Sequence, residues 1–265
     1  MTLLQQSFAE LRAGRKCGFV PFIVAGDPDL HTTSALLIAL SRLRPVAIEV
    51  GVPFSDPTAD GAIIQRAAQR ALLQHTTLEK TLQMLARTRP NESVPIVLFS
   101  YFNPILQFGL APFARRAARH RVAGVLVVDL PAEAAMPLRR QLRRYGIDLI
   151  FLVAPTTSDR RLHQITRMAS GFIYAVARTG VTGTATKQSD EWQALVARLR
   201  AVTDLPVAVG FGITTRRQAQ QVCRYADAAV VGSRLVAEIE KVTTRKGFDR
   251  SRVVRAVTQC ARQFV

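Results

Sequence analysis

Eight short apolar runs divide the chain, at residues 18–25, 46–51, 95–101, 124–129, 148–154, 171–177, 206–210 and 227–232. Each is continuously apolar instead of alternating, which is the pattern of a parallel strand covered on both faces. The stretches between them have helical spacing. Leu138, Leu142 and Tyr145 fall at i, i+4 and i+7 with arginines between them, and Leu195, Leu199 and Val202 mark a similar face. Ser158 stands before one periodic segment, and Thr215 with Gln218 has capping-box spacing before another. Eight strands each followed by helix predict an α/β chain folded as one (β/α)8 (TIM) barrel domain over residues 1–265, led by an extra N-terminal helix. The competing open doubly wound sheet lacks its Gly-x-Gly-x-x-Gly after the first run.

Length and composition agree with that reading. At 265 residues and 48% hydrophobic, the chain can build a core, and no run of roughly 18 to 20 uncharged apolar residues predicts a membrane span. The N-terminus reads as an amphipathic helix, not a secretion signal. Cys17, Cys223 and Cys260 are odd in number and far apart, so neither a disulfide nor a zinc site is expected, and a reducing cytoplasm fits. Net charge is +17, from 36 Lys+Arg against 19 Asp+Glu; the five lysines leave 31 arginines. Such a balance raises the alternative of a basic barrel that binds nucleic acid. The arginines, however, sit on the polar faces of helices, as at Arg115, Arg116, Arg119 and Arg121, without interleaved aromatics.

A barrel of this kind carries its chemistry at the C-terminal ends of its strands. Glu49 lies inside the second run, between Ile48 and Val50, where burial would raise its pKa toward the range useful for proton transfer. The following loop carries Asp56 and Asp60, stiffened by Pro53 and Pro57, and two carboxylates in different surroundings can divide the acid/base and electrostatic roles. The competing reading makes Glu49 the partner of an interior arginine, and Asp56 or Asp60 the cap of the next helix. Glycine clusters follow the last three strands, in 178–183, 210–212 and 232–233, where backbone N–H groups can approach a phosphate. Phe22, Phe99, Tyr101 and Tyr174 are strand aromatics able to sandwich a flat ring. His31, His75, His120 and His163 fall on helices or helix ends without metal-ligand spacing, so no metal is expected. None of Lys16, Lys80, Lys187, Lys241 and Lys246 ends a strand as a Schiff base would require.

The segments PFIVAGDPD (21–29), IEVGVPFSDPTADG (48–61), LVAPTTSDRRL (152–162), GFIYAVARTGVTG (171–183), LPVAVGFGI (205–213) and VVGS (230–233) resemble the tryptophan synthase alpha subunit family from the first strand to the eighth. The resemblance implies cofactor-independent retro-aldol cleavage of indole-3-glycerol phosphate to indole and glyceraldehyde 3-phosphate, in cytoplasmic tryptophan biosynthesis. It implies that Glu49 and Asp60 are catalytic. Phe22, Tyr101, Tyr174 and Thr182 then bind substrate, and Gly183, Gly212, Gly232 and Ser233 cradle its phosphate. It also implies a loop around Thr182 that closes over the site. Pro53 and Asp56 would meet a beta subunit in an alpha2beta2 assembly, with pyridoxal phosphate only in that partner. A stand-alone indole-releasing lyase is the alternative within the family. Two segments depart from its usual pattern: Val127-Val128-Asp129-Leu130-Pro131, with valine for the first proline of VPDLP, and Leu43-Arg44-Pro45-Val46, which loses a helix-stop glycine.

Overall fold

A computed structural model describes residues 1–88, 90–176, 188–210, 212–243 and 248–265. The chain opens with α1 (Leu3–Ala13), β1 (Gly18–Val24), α2 (Leu30–Ser41) and β2 (Ile48–Gly51). Two helices, α3 (Ala62–Leu73) and α4 (Leu78–Arg87), lead to β3 (Ile96–Ser100). Two more, α5 (Phe102–Phe108) and α6 (Leu110–Arg119), lead to β4 (Val122–Val127). Then come α7 (Met136–Arg143), β5 (Asp148–Val153), α8 (Asp159–Met168), β6 (Ile173–Val176), α9 (Gln188–Arg200) and β7 (Val207–Gly210). The chain ends with α10 (Arg216–Val222), β8 (Ala228–Val231), α11 (Ser233–Thr243) and α12 (Arg250–Ala261). All eight strands pair in parallel and in sequence order into a closed barrel, as expected, with β8 returning to β1.

Parallel pairing explains the continuous apolar runs, because both faces of each strand are covered. Phe19, Ile23, Ile48, Val50, Ile96 and Leu98 point outward into one apolar cluster beneath the helices. Val20, Phe22, Val97, Phe99, Ile150 and Tyr174 belong to a second cluster that fills the barrel. The helix α1 closes the N-terminal end: Phe8 packs on Phe172 with ring centroids 5.4 Å apart, and Leu4 reaches Gly124, where a Cβ would come within 2.7 Å of it. Thr2 caps α1 and also donates to Asp148 at 2.6 Å, pinning the helix to the start of β5. Asp227, just before β8, holds Arg12 of α1 and Arg200 of α9 and accepts from the Val207 amide.

Thr215 and Gln218 form the expected capping box, whereas Ser158 precedes α8 without a side-chain cap. The missing glycine after α2 leaves Arg44 at φ 51°, a left-handed backbone that costs a non-glycine residue roughly 1 kcal/mol.

The cysteine reading is corrected by the fold. Cys17 and Cys223 form a disulfide with Cα atoms 5.4 Å apart, although 206 residues separate them. Closure of the barrel brings the residue before β1 beside the end of α10, a neighbourhood that sequence distance hides. Cys260 is free and buried. A cross-link around so long a loop restricts the unfolded chain, so reduction or Cys17→Ser is expected to destabilise the fold by roughly 2–5 kcal/mol. Urea unfolding with and without reductant reads this directly, and superimposable curves would contradict it.

Candidate active site

The register of the strands points Glu49 inward. It lies opposite Phe22 of β1 and Val97 of β3, both interior residues, while its neighbours Ile48 and Val50 face the helices. Glu49 is fully buried, and neither carboxyl oxygen has a hydrogen-bond partner among the described residues. Among the described residues, no interior arginine pairs with Glu49. Burial without compensation pushes its pKa from 4.5 up to about 8.

Above Glu49, a cleft at the C-terminal mouth is lined by Phe22, Phe99 and Tyr174, with Ile64, Asp60, Val230, Gly212, Gly232 and Ser233 completing it. Phe22 meets Phe99 edge to face with centroids 5.3 Å apart. Small residues at strand ends make room for these rings. A Cβ on Gly51 would come within 2.7 Å of the Phe22 ring, and one on Gly210 would come within 2.1 Å of the Tyr174 hydroxyl. Gly210, read from sequence as part of a glycine cluster that could approach a phosphate, thus seats an aromatic wall. The Tyr174 hydroxyl is held well above its ordinary pKa, first by burial and then by the Glu49 charge.

Asp60 reaches the cleft from the loop after β2. Tyr101 donates to its Oδ2 at 3.2 Å and accepts from the Ala59 amide at 3.0 Å, while the Phe54 ring stacks on Tyr101 at 4.8 Å. Gln65, on the first turn of α3, donates to the Asp60 carbonyl at 2.8 Å. The N-cap of α3 is Gly61, with no side-chain cap, so capping is not the role of Asp60. Burial raises the pKa of Asp60, and the bond from Tyr101 opposes that rise. Tyr101 serves as the anchor of this loop and does not itself line the cleft. Gly232 and Ser233 stand where the 11-residue α11 begins, so the positive end of that helix faces the cleft.

The structure therefore brings Phe22, Asp60, Tyr174, Gly212, Gly232 and Ser233 together over Glu49, with Tyr101 behind Asp60. Thr182 and Gly183 lie outside the described residues. Asp56 is exposed, as a partner contact requires, but Pro53 is buried in its own chain. Pro53 follows Val52, whose amide extends the sheet by donating to Phe99 at 2.8 Å. Ile64 was missed, and its only sequence signal is an apolar side chain on the first turn after an acidic loop. Larger hollows of about 620 and 680 Å³ open at the other end of the barrel, where their acidic groups, Glu92 and Glu10, are exposed. Among the described residues, no cluster of three or more His, Cys, Asp or Glu could hold a metal, and no helix is long and apolar enough to cross a membrane.

The profile of the family described as tryptophan synthase alpha chain matches residues 8–264. The chain belongs to this family. It is 48% identical to the tryptophan synthase alpha chain of Gluconacetobacter diazotrophicus over 93% of this chain and 90% of the relative. Identity is 45% to that of Acaryochloris marina, over 93% of both chains. Among solved structures, the alpha subunit of Legionella pneumophila superposes with a TM-score of 0.88 at 32% identity, covering 100% of this chain and 98% of that one. The tryptophan synthase a2b2 complex of Pyrococcus furiosus contains a chain with a TM-score of 0.84 at 36% identity, covering 93% and 97% respectively. The chain is accordingly a lyase of tryptophan biosynthesis that cleaves indole-3-glycerol phosphate. These comparisons give no support to the nucleic-acid-binding or stand-alone alternatives.

The raised pKa of Glu49 sets a pH dependence. Below about 4.5 the carboxyl is protonated in folded and unfolded chains alike and contributes nothing. Between about 4.5 and about 8 the folded protein holds the extra proton, so stability falls as pH rises, by up to roughly 1.4 kcal/mol per pH unit. Glu49→Gln removes this slope. The variant is expected to outlast the wild type in urea at pH 8, with the gap closing toward pH 4.5; a gap independent of pH would contradict the assignment.

Proposed function

We propose that Glu49 is the proton donor and Asp60 the ring-orienting carboxylate of the cleavage reaction. The observation that carries this reading is a fully buried carboxyl, without a hydrogen-bond partner among the described residues and in register with the cleft residue Phe22, with a second carboxylate lining the cleft. Phe22 and Tyr174 sandwich the indole. Gly212, Gly232, Ser233 and the positive end of α11 take the phosphate. Gly183 and Thr182 belong to the same reading by their match to the family's motif alone.

Breaking the bond between indole C3 and the glycerol carbon requires the ring to accept an electron pair. Glu49 protonates C3, giving a cationic ring whose C=N can receive it. Asp60 accepts a hydrogen bond from the ring N–H and stabilises the positive charge there. As the carbon–carbon bond breaks, its electrons pass into the ring and restore indole. The hydroxyl on the departing carbon gives up its proton to the Glu49 carboxylate, and that carbon becomes the aldehyde of glyceraldehyde 3-phosphate. On balance, one proton moves from hydroxyl to ring and Glu49 returns to its starting form. No cofactor takes part in these steps, and pyridoxal phosphate belongs to the beta subunit.

The loop carrying exposed Asp56, with the exposed apolar side chains of Leu106 and Met136, forms the surface we assign to a beta subunit. The a2b2 complex of the Pyrococcus furiosus relative supports that assignment. A cytoplasmic location is part of this reading.

Indole release from indole-3-glycerol phosphate, with and without added beta subunit, tests the proposal. Glu49→Gln and Asp60→Asn should each nearly abolish release while substrate binding survives. Retention within about tenfold of wild type, roughly 1.4 kcal/mol of barrier, would sink the assignment of that residue.

A further inference from the structure

A charge network, buried at Asp27 and exposed at Arg66, joins the elements that carry this cleft. Asp27, in the loop after β1, is fully buried and receives a two-pronged contact from Arg70 of α3, at 2.8 and 2.9 Å. Arg70 also donates to Glu240 of α11 at 3.0 Å. Arg66, one turn earlier on α3, grips both oxygens of Glu240 at 2.7 and 2.9 Å. Arg66 holds the Glu240 carboxyl down at about pKa 2. Burial pushes the Asp27 carboxyl up, and the Arg70 guanidinium opposes that rise. The helices α3 and α11 also pack on each other and on β1.

These three elements carry different parts of the site. The start of α3 fixes the Asp60 loop through Gln65, β1 supplies Phe22, and α11 begins at Ser233. Asp60 marks the ring end of the cleft and Gly232 with Ser233 its phosphate end, while Phe22 lies between them, against Gly232, where a Cβ would come within 3.2 Å of its ring. The charge network is thus a brace between the helix that sets the ring end and the helix that sets the phosphate end. We propose that Asp27, Arg66, Arg70 and Glu240 are positioning residues that hold the ring and phosphate subsites at the separation one substrate spans. The proposal rests on the active-site reading above. A ligand that bridges both subsites gains from their fixed spacing, because its second half binds at a high effective concentration; a ligand that fills only one subsite gains nothing. Neither Arg66 nor Glu240 is among the residues that line the cleft.

Calorimetric titration of Glu240→Ala and Arg66→Ala against three ligands tests this. The ligands are an uncleavable indole joined to phosphate by a three-carbon chain, indole alone, and glycerol 3-phosphate. Both variants leave the Asp27–Arg70 pair in place, and unfolding midpoints establish that they fold. Affinity for the joined ligand should fall by about tenfold or more in Glu240→Ala and by less in Arg66→Ala, with each fragment held within about twofold of wild type. The KM for cleavage should rise in the same order. Unchanged affinity for the joined ligand would overturn the proposal, as would equal losses for the joined ligand and the fragments, which mark general loosening. If the wild-type protein fails to bind the joined ligand but binds both fragments, the active-site reading falls, and the brace falls with it.

Discussion

The structure depends on one uncompensated burial: a carboxyl group placed inside an apolar barrel with nothing described to accept or donate a hydrogen bond to it. Keeping Glu49 charged there would be costly, so the group stays protonated until about pH 8. That condition requires a dry interior. The helix α1 seals the bottom with Leu4 and Phe8, and Phe22, Phe99 and Tyr174 form the walls above. Glycines at the ends of β2 and β7 let those rings approach without strain. Asp60, half-buried at the rim and bonded to Tyr101, differs from Glu49 in having a partner. The contrast between these environments lets two carboxylic acids play different parts.

Much of the fold was legible because parallel strands buried on both faces leave continuous apolar runs. The edges were less so: β2 begins at Ile48, not Val46, although the Val46 amide still bonds to Phe19 of β1. Glu49 could be read as a candidate because a charged residue interrupts such a run. Its isolation among the described residues could not, since that depends on which side chains the packed barrel brings beside it. The disulfide was invisible for a related reason. Residues 17 and 223 meet only because β1 and β8 are neighbours in a closed sheet. Pro53 lies two residues beyond the end of β2 and is buried within this chain, which the sequence of its loop does not reveal.

The arginine excess now divides into groups with different physical roles. Arg12 and Arg200 converge on Asp227 beneath the barrel. Arg66 and Arg70 join α3 to α11 through Glu240 and to the β1 loop through Asp27. Arg116 and Arg161 make exposed pairs with Glu79 and Glu133, which contribute little in water. Others, such as Arg115, Arg140 and Arg143, lie exposed on the outer faces of α6 and α7. Nothing in the structure explains why so many arginines occupy those outer faces.

The chemistry of the cleft turns on the protonation state of Glu49. Infrared difference spectroscopy of wild type against Glu49→Gln, titrated across neutral pH, isolates its carboxyl stretch. A protonated-acid band is expected to persist through neutrality and to disappear with a midpoint near pH 8. A carboxylate already formed near pH 4.5, the ordinary value for this side chain, would contradict it.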